Sequence, residues 1–167
     1  MYDEQLKDEA TLLRYAIKGE VNGHTFYGLL ADKTTNPDAK RRLQTLRDDE
    51  IRHEAILRGV FKKFIDEPIG ELPERGLDAL ATVFEKGKLK NLHSEVEYIS
   101  LAIEAERVTT KFYEAAKETV KSDEFKTILQ DLADEENGHF EILMAEKEAL
   151  AGNYYWFSSD GTQPMED

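Results

Sequence analysis

The 167-residue chain contains no cysteine, only four prolines and far fewer basic than acidic residues. Without cysteine it can form no disulfide, thiolate zinc site, iron–sulfur cluster or catalytic thiol. Its net charge of −13 argues against nucleic acid or an acidic membrane as a partner. No apolar run approaches the roughly 20 residues that span a bilayer, and residues 1–10 lack the apolar segment of a secretory signal. We therefore expect a cytoplasmic protein.

What the chain does have is an internal repeat. At an offset of 86 positions, residues 16–57 align with residues 102–143 without a gap, and 14 of the 42 positions are identical. The identical pairs include Glu20 and Glu106, Tyr27 and Tyr113, Glu50 and Glu136, and His53 and His139. The repeat indicates one structural unit used twice; the alternative is two amphipathic hairpins that are similar only by composition.

Each repeat is predicted to contain two amphipathic helices, because apolar residues recur at intervals of three and four. In the first repeat, Asn36-Pro37 breaks the pattern, and proline suits the first turn of the next helix. In the second repeat, Ser122 is a suitable N-cap for the last helix, and Gly152 is a plausible stop. The sequence therefore predicts four long helices, arranged as two hairpins.

A connector between the repeats, roughly residues 67–92, is rich in proline and glycine. It is expected to contain a short amphipathic helix with Leu77, Leu80, Ala81 and Phe84 on its apolar face. A connector of this length can run back along the bundle, so that helices two and three are parallel. The prediction is an all-α, ferritin-like four-helix bundle over residues 1–152, with one long crossover.

The C-terminal segment, residues 153–167, is predicted to be a tail outside the bundle. Its first part, residues 153–157, is so aromatic that we expect it to pack on the bundle or on a neighbouring subunit. Residues 158–167 are expected to be disordered.

Four glutamates occupy positions where the helical pattern calls for an apolar residue. They are Glu20, Glu50, Glu106 and Glu136, one in each predicted helix. Burying an unpaired carboxylate costs several kcal/mol, so four at equivalent positions need a shared counter-charge. Two of them begin Glu-x-x-His pairs whose histidines, His53 and His139, lie on the same helix face one turn later.

The spacing predicts that these six side chains converge. In both repeats the lone glutamate precedes the paired glutamate by 30 residues, so each hairpin brings the two to one level. Four carboxylates balance two divalent ions, and oxygen and nitrogen ligands suit iron or manganese. We therefore predict a site for two iron or two manganese ions. The alternative is a metal-free bundle with a buried ionic network.

Four further residues are weaker candidates. Tyr27 and Tyr113 each follow a lone glutamate by two helical turns, so each is either a core residue or a hydroxyl donor to a ligand carboxylate. His24 lies one turn after Glu20, and we interpret it as an ordinary helix-face histidine because its repeat counterpart is a threonine. His93 lies in the connector without a motif partner.

One known family combines these motifs: Ala16-Ile17-x-x-Glu20, Phe26-Tyr27, Asp49-Glu50-x-x-His53-Glu54, Glu106 and Glu136-x-x-His139. With them, residues 5–150 resemble the rubrerythrin branch of the ferritin-like superfamily. The resemblance implies a non-haem di-iron site that reacts with hydrogen peroxide or oxygen, and subunits that pair into dimers. The long connector leaves open an exchange of helix pairs between subunits. Tyr27 is similar to the family tyrosine that hydrogen-bonds a bridging carboxylate, and Glu50 and Glu136 are the expected bridges.

The chain departs from typical rubrerythrins in three respects. It has no cysteine-ligated rubredoxin domain, which implies an external electron-donor protein. Thr109 stands where the family has an additional glutamate, and His139 stands where the last motif usually ends in glutamate. A peroxide- or oxygen-reducing oxidoreductase is the first functional hypothesis. Iron oxidation and storage, an oxygenase acting on an organic substrate, and a metal-stabilised structural bundle remain alternatives.

Overall fold

The computed structural model describes residues 2–77, 94–152 and 155–157, and within these ranges the chain forms four α-helices and no strand. The helices are α1 (Glu9–Lys33), α2 (Pro37–Phe64), α3 (Glu95–Lys117) and α4 (Asp123–Ala149). α1 packs mainly on α2, and α3 mainly on α4. The predicted fold class, a ferritin-like four-helix bundle made of two hairpins, is confirmed.

Each helix begins at a polar side chain whose oxygen accepts a hydrogen bond from a backbone N–H of the first turn. These caps are Asp8, Asn36, Ser94 and Ser122. Pro37 opens α2, as the sequence predicts. α4 ends at Ala149, three residues before Gly152, whose backbone N–H donates to the Ala149 carbonyl. The helix therefore ends earlier than the glycine alone indicates.

Hydrogen bonds between the hairpins fix the directions of the helices. Tyr27 of α1 contacts Glu106 of α3, whereas Tyr113 of α3 contacts Glu20 of α1. Residue numbers therefore rise along α1 as they fall along α3, so these two helices are antiparallel. Short turns make α1 antiparallel to α2 and α3 antiparallel to α4. It follows that α2 and α3 are parallel, which requires the connection between them to return along the bundle.

The described start of that connection does follow α1. The guanidinium of Arg14 donates from Nε to the Ile69 carbonyl at 2.7 Å. Farther along, Gly76 has a positive φ of 70° and lies so close to α1 that an added Cβ would be 3.2 Å from Lys18 Cγ and Asn22 Nδ2. Leu77 is buried. The rest of the predicted connector helix, from Leu80 to Phe84, lies outside the described residues.

Two apolar clusters fill the interior. One contains Leu13, Leu57, Phe112, Phe125 and Leu129 among others, and the second contains Leu30, Leu43, Ile99, Leu143 and Trp156 among others. The six candidate ligands belong to neither cluster. No helix in the described ranges is long and apolar enough to cross a bilayer.

The described part of the aromatic tail packs on the bundle. Trp156 is fully buried in the second apolar cluster, and its indole N–H donates to Glu146 at 3.1 Å. Its carbonyl accepts from the backbone N–H groups of Thr35 and Asn36, in the turn between α1 and α2. The division of the chain at residue 152 stays a prediction, and residues 158–167 lie outside the described residues.

Candidate metal centre

Six buried polar side chains meet in the middle of the bundle. Glu20 comes from α1, Glu50 and His53 from α2, Glu106 from α3, and Glu136 and His139 from α4; none is more than 4% exposed. All six were selected from the sequence, and the structure brings all six together. Their convergence follows from the pattern, because each occupies a core position of its helix.

The six residues form two overlapping groups. In each group, one oxygen or nitrogen atom per residue lies within 4.8 Å of the corresponding atoms of the others. One group is Glu20, Glu50, His53 and Glu136; the second is Glu50, Glu106, Glu136 and His139. Glu50 and Glu136 belong to both groups. This sharing is what a site for two adjacent ions with two bridging carboxylates requires.

Both histidines direct Nδ1 towards the carboxylates. His53 Nδ1 lies 3.4 Å from Glu20 Oε2 and 3.3 Å from Glu136 Oε1. His139 Nδ1 lies 3.0 Å from Glu50 Oε1 and 3.1 Å from Glu136 Oε2. The two rings are stacked, with centroids 5.7 Å apart. The same nitrogen of each ring is thus available as a ligand on each side of the centre.

Several of these buried atoms have no hydrogen-bond partner within the described part of the chain. They are Glu20 Oε2, Glu50 Oε1, His53 Nδ1 and Glu136 Oε1. A buried polar atom without a partner costs about 1–3 kcal/mol, and a charged one costs more. Because all four atoms face the same centre, two divalent cations would satisfy them together. The donor set therefore fits a dinuclear site of iron or manganese.

The protonation of the metal-free cluster reflects this crowding. Burial and repulsion by Glu136 raise the pKa of Glu106 to about 8 and the pKa of Glu50 well above its usual range. Burial opposes protonation of His53, but the nearby Glu136 and Glu20 carboxylates raise its pKa to about 11. Burial also acts to raise the pKa of Glu136, yet the hydrogen bond from His139 and the nearby His53 ring hold it low. In the metal-free cluster, bound protons therefore supply the positive charge that metal ions would otherwise supply.

Two tyrosine hydroxyls support the lone glutamates across the repeat boundary. Tyr27 of α1 donates to Oε1 of Glu106 on α3, and Tyr113 of α3 donates to Oε1 of Glu20 on α1. Both tyrosines are buried. The partner of Tyr27 is therefore a lone glutamate, and not either of the expected bridges, Glu50 and Glu136.

Two outer carboxylates were not selected as site residues from the sequence, although Asp49 belongs to one of its motifs. Asp49 Oδ2 lies 3.1 Å from His139 Nε2, and Glu135 Oε2 lies 2.9 Å from His53 Nε2. An ionised carboxylate only accepts, so each Nε2 carries a proton, and once the ring is neutral its Nδ1 has the lone pair that a metal ion needs. A signal was present in the sequence: both residues are acidic, both precede a ligand glutamate, and the 86-residue offset relates them.

The opposite side of the centre has a small cavity between α1 and α3. It is lined by Gly19, Gly23, Phe26, Tyr27, Glu50, Ala105, Glu106 and Thr109. Its volume of about 20 Å³ is enough for a molecule the size of water. Gly23 has no side chain to fill it, and an added Cβ would lie 2.6 Å from Glu50 Oε2. We call this space the α1–α3 cavity.

Comparison with known proteins identifies the family. The rubrerythrin family profile matches residues 11–147, most of the chain. The chain belongs to the rubrerythrin family. A solved structure, a hypothetical protein from Pyrococcus furiosus, is similar with a TM-score of 0.71 and 30% sequence identity, covering 90% of this chain and 93% of that chain. No curated protein matches the chain significantly.

The remaining residues singled out in the sequence lie outside the two ligand groups or outside the described residues. Thr109, which replaces a glutamate of typical rubrerythrins, lines the α1–α3 cavity, and its hydroxyl donates to the Ala105 carbonyl of its own helix. His24 pairs with Glu54 at 2.9 Å and belongs to neither ligand group, in agreement with its interpretation as a helix-face residue. His93 lies outside the described residues. This rubrerythrin therefore has a nearly two-fold symmetric centre with an open space on one side.

Proposed function

We propose that this protein is a di-iron oxidoreductase that reduces hydrogen peroxide or oxygen with electrons from an external donor protein. The observation that carries the proposal is the pair of overlapping buried ligand groups that share Glu50 and Glu136. Four carboxylates neutralise two divalent ions, so the loaded centre can remain buried. Membership of the rubrerythrin family supports iron, and manganese is the other metal suited to these ligands.

The residues have distinct roles in this proposal. Glu50 and Glu136 would be shared by the two metal positions, while Glu20 with His53, and Glu106 with His139, would each complete one of them. Two ferrous ions, when bound, supply the two electrons that, with two protons, convert one hydrogen peroxide into two waters. The hydroxyl of Tyr27 donates a hydrogen bond to Glu106, and the hydroxyl of Tyr113 donates one to Glu20.

The size of the α1–α3 cavity supports a small oxidant. At about 20 Å³ it suits hydrogen peroxide or oxygen better than an organic molecule, whose pockets are usually 300–1,000 Å³. Glu50 and Glu106 line it, so an oxidant there lies beside both metal positions. This argues against the oxygenase alternative.

The electron donor and the assembly belong to the same proposal. The 167 residues contain no cysteine to ligate a second iron centre, and in this proposal a separate redox protein supplies the electrons. The subunits pair into dimers, as the family resemblance implies. The molar mass from light scattering, measured over a range of concentrations, tests the dimer.

The deciding experiment is anaerobic mixing of the diferrous protein with hydrogen peroxide in a stopped-flow spectrometer. We expect rapid oxidation of two irons per peroxide in the wild type and in Glu54→Ala, a matched control on α2 whose carboxylate pairs with His24 and Arg58. Oxidation of the Glu50→Ala protein by hydrogen peroxide should be slow. Wild-type oxidation no faster than that of Glu50→Ala would refute the proposal. Uptake of far more than two irons per chain would favour iron storage.

A further inference from the structure

The surface side of the candidate centre, between α2 and α4, contains a single guanidinium that contacts both outer carboxylates. Arg52 donates from Nη1 to Glu135 Oε1 at 3.3 Å, and from Nη2 to Glu135 Oε2. The same Nη2 lies 3.4 Å from Asp49 Oδ1. Asp49 and Glu135 are the residues that accept from the histidine rings. We infer that Arg52 is a positioning residue that cross-links the two outer carboxylates and so orients both histidines.

The outer carboxylates need such a partner because they lie at the surface. The side chains of Asp49 and Glu135 are 33% and 39% exposed, whereas the histidines they contact are at most 5% exposed. A solvent-exposed glutamate or aspartate samples several rotamers, and holding one of them costs conformational entropy. The planar guanidinium presents several donors in a fixed fork, so one side chain can fix two carboxylates.

The contact is also a departure from the two-fold symmetry of the centre. The repeat counterpart of Arg52 is Gly138, which has no side chain to offer. Arg52 is therefore the one residue that contacts the outer carboxylates of both histidines. It contacts Glu135, the partner of His53, and Asp49, the partner of His139. Replacing Arg52 should therefore affect both metal positions. Replacing Asp49 or Glu135 should affect mainly the one histidine that the replaced carboxylate contacts.

An ordinary surface ion pair would behave differently. Arg52 is 47% exposed, and pairs of this kind change folding stability little. Arg58 provides the comparison: it lies on the same helix, is 41% exposed and donates to Glu54 at 2.8 Å, away from both ligand groups. If Arg52 is only another surface arginine, the two substitutions should have equal effects.

The test uses the full chain loaded with Co²⁺, with Arg52→Gln, Arg52→Lys and the control Arg58→Gln. The first measurement is the solvent exchange of the His53 and His139 Nε2 protons by NMR; the second is Co²⁺ affinity in competition with a chelator. Arg52→Gln should accelerate the solvent exchange of both Nε2 protons up to about tenfold. It should also lower the affinity for both Co²⁺ ions by about tenfold or more. Arg52→Lys should protect one proton better than the other, because an ammonium is a point donor. Arg58→Gln should match the wild type.

Equal exchange and affinity in Arg52→Gln and Arg58→Gln would overturn the inference, and so would an effect confined to one histidine. The exchange measurement is repeated on the metal-free chain, in which the same contacts exist, so the result does not depend on Co²⁺ binding. The inference rests on the metal site of the proposed function and not on its oxidant. A chain that shows the Arg52 effect but reacts slowly with peroxide would refute the proposed function alone.

Discussion

Among single residues, the two tyrosines give the most direct test of the symmetry of the centre. Tyr27→Phe and Tyr113→Phe each remove a buried hydroxyl that donates to a lone glutamate. Each should lower the free energy of unfolding by about 1–3 kcal/mol, because a buried acceptor loses its donor. The two losses should be similar, since the contacts are equivalent. Denaturant unfolding measures both, and a large cost for only one would mean that the repeats are not equivalent.

The glycines of α1 allow a matched comparison. An alanine Cβ at position 23 would lie 2.6 Å from Glu50 Oε2, whereas at position 19 it would meet nothing within 4 Å. Gly19→Ala should therefore raise the free energy of unfolding by about 0.5–1 kcal/mol through helix propensity. Gly23→Ala should instead displace Glu50, and so weaken metal binding and slow peroxide oxidation.

Unfolding curves and metal titrations of the two glycine variants check this prediction. Equal metal affinity in Gly19→Ala and Gly23→Ala would mean that Glu50 does not need the space that Gly23 leaves.

Residue patterns were sufficient to select all six converging side chains, because a glutamate on an apolar helix face is conspicuous. They did not identify Asp49, Glu135 or Arg52, which lie on half-exposed positions where charge is ordinary. Periodicity tells which face of its own helix a residue occupies, but not which residue lies opposite on another helix. The partner of Tyr27 could not be selected from the sequence for the same reason.

Among the structural elements, the C-terminal segment has the clearest testable role. Trp156 joins the α1–α2 turn to α4 through its carbonyl, its indole N–H and its buried ring. Trp156→Ala should lower the free energy of unfolding by about 3–5 kcal/mol. Trp156→Phe keeps an aromatic ring and the backbone contacts, and should cost less.

The number of metal ions per chain should be unchanged in both tryptophan variants, because Trp156 lies in an apolar cluster and not among the ligands. Calorimetric or denaturant unfolding, with metal analysis, checks both points. A loss of bound metal in Trp156→Phe would contradict the separation of the tail from the centre.

At this scale the sequence was informative about helices and less so about connections. Apolar periodicity, the break at Asn36-Pro37 and the cap Ser122 predicted the four helices and their arrangement. Gly152 follows the C-cap Leu150 by two residues and is not in the left-handed conformation, so it marks the end of α4 only approximately. That Trp156 and Phe157 pack on their own bundle required the structure.

For the whole molecule, the pKa shifts predict how stability depends on pH. In the metal-free fold, the pKa of Glu106 is about 8, against 4.5 ordinarily, and that of His53 is about 11, against 6.5. The folded chain thus keeps protons that the unfolded chain has released, so stability falls as pH rises through 4.5–8 for Glu106 and 6.5–11 for His53. The Tm of the metal-free protein should therefore fall between pH 6 and pH 9.

Metal loading should remove this dependence above pH 7, because the bound ions require deprotonated ligands in the folded state. Thermal unfolding by circular dichroism, with chelator or with Co²⁺, gives the comparison. Calorimetry in two buffers of different ionisation enthalpy should also detect protons released on binding at pH 7. A metal-free Tm that rises over this pH range would contradict the protonated cluster.

Four contacts that support the centre cross from one repeat to the other: Tyr27 to Glu106, Tyr113 to Glu20, Asp49 to His139 and Glu135 to His53. A single hairpin thus has three ligands of its own but depends on a second hairpin to hold them. Such a surface is self-complementary, and two identical hairpins could complete each other about a two-fold axis. A gene for one hairpin could already have encoded a whole centre as a homodimer. In a fused chain the two sides are free to differ, as Arg52 and its repeat counterpart Gly138 do.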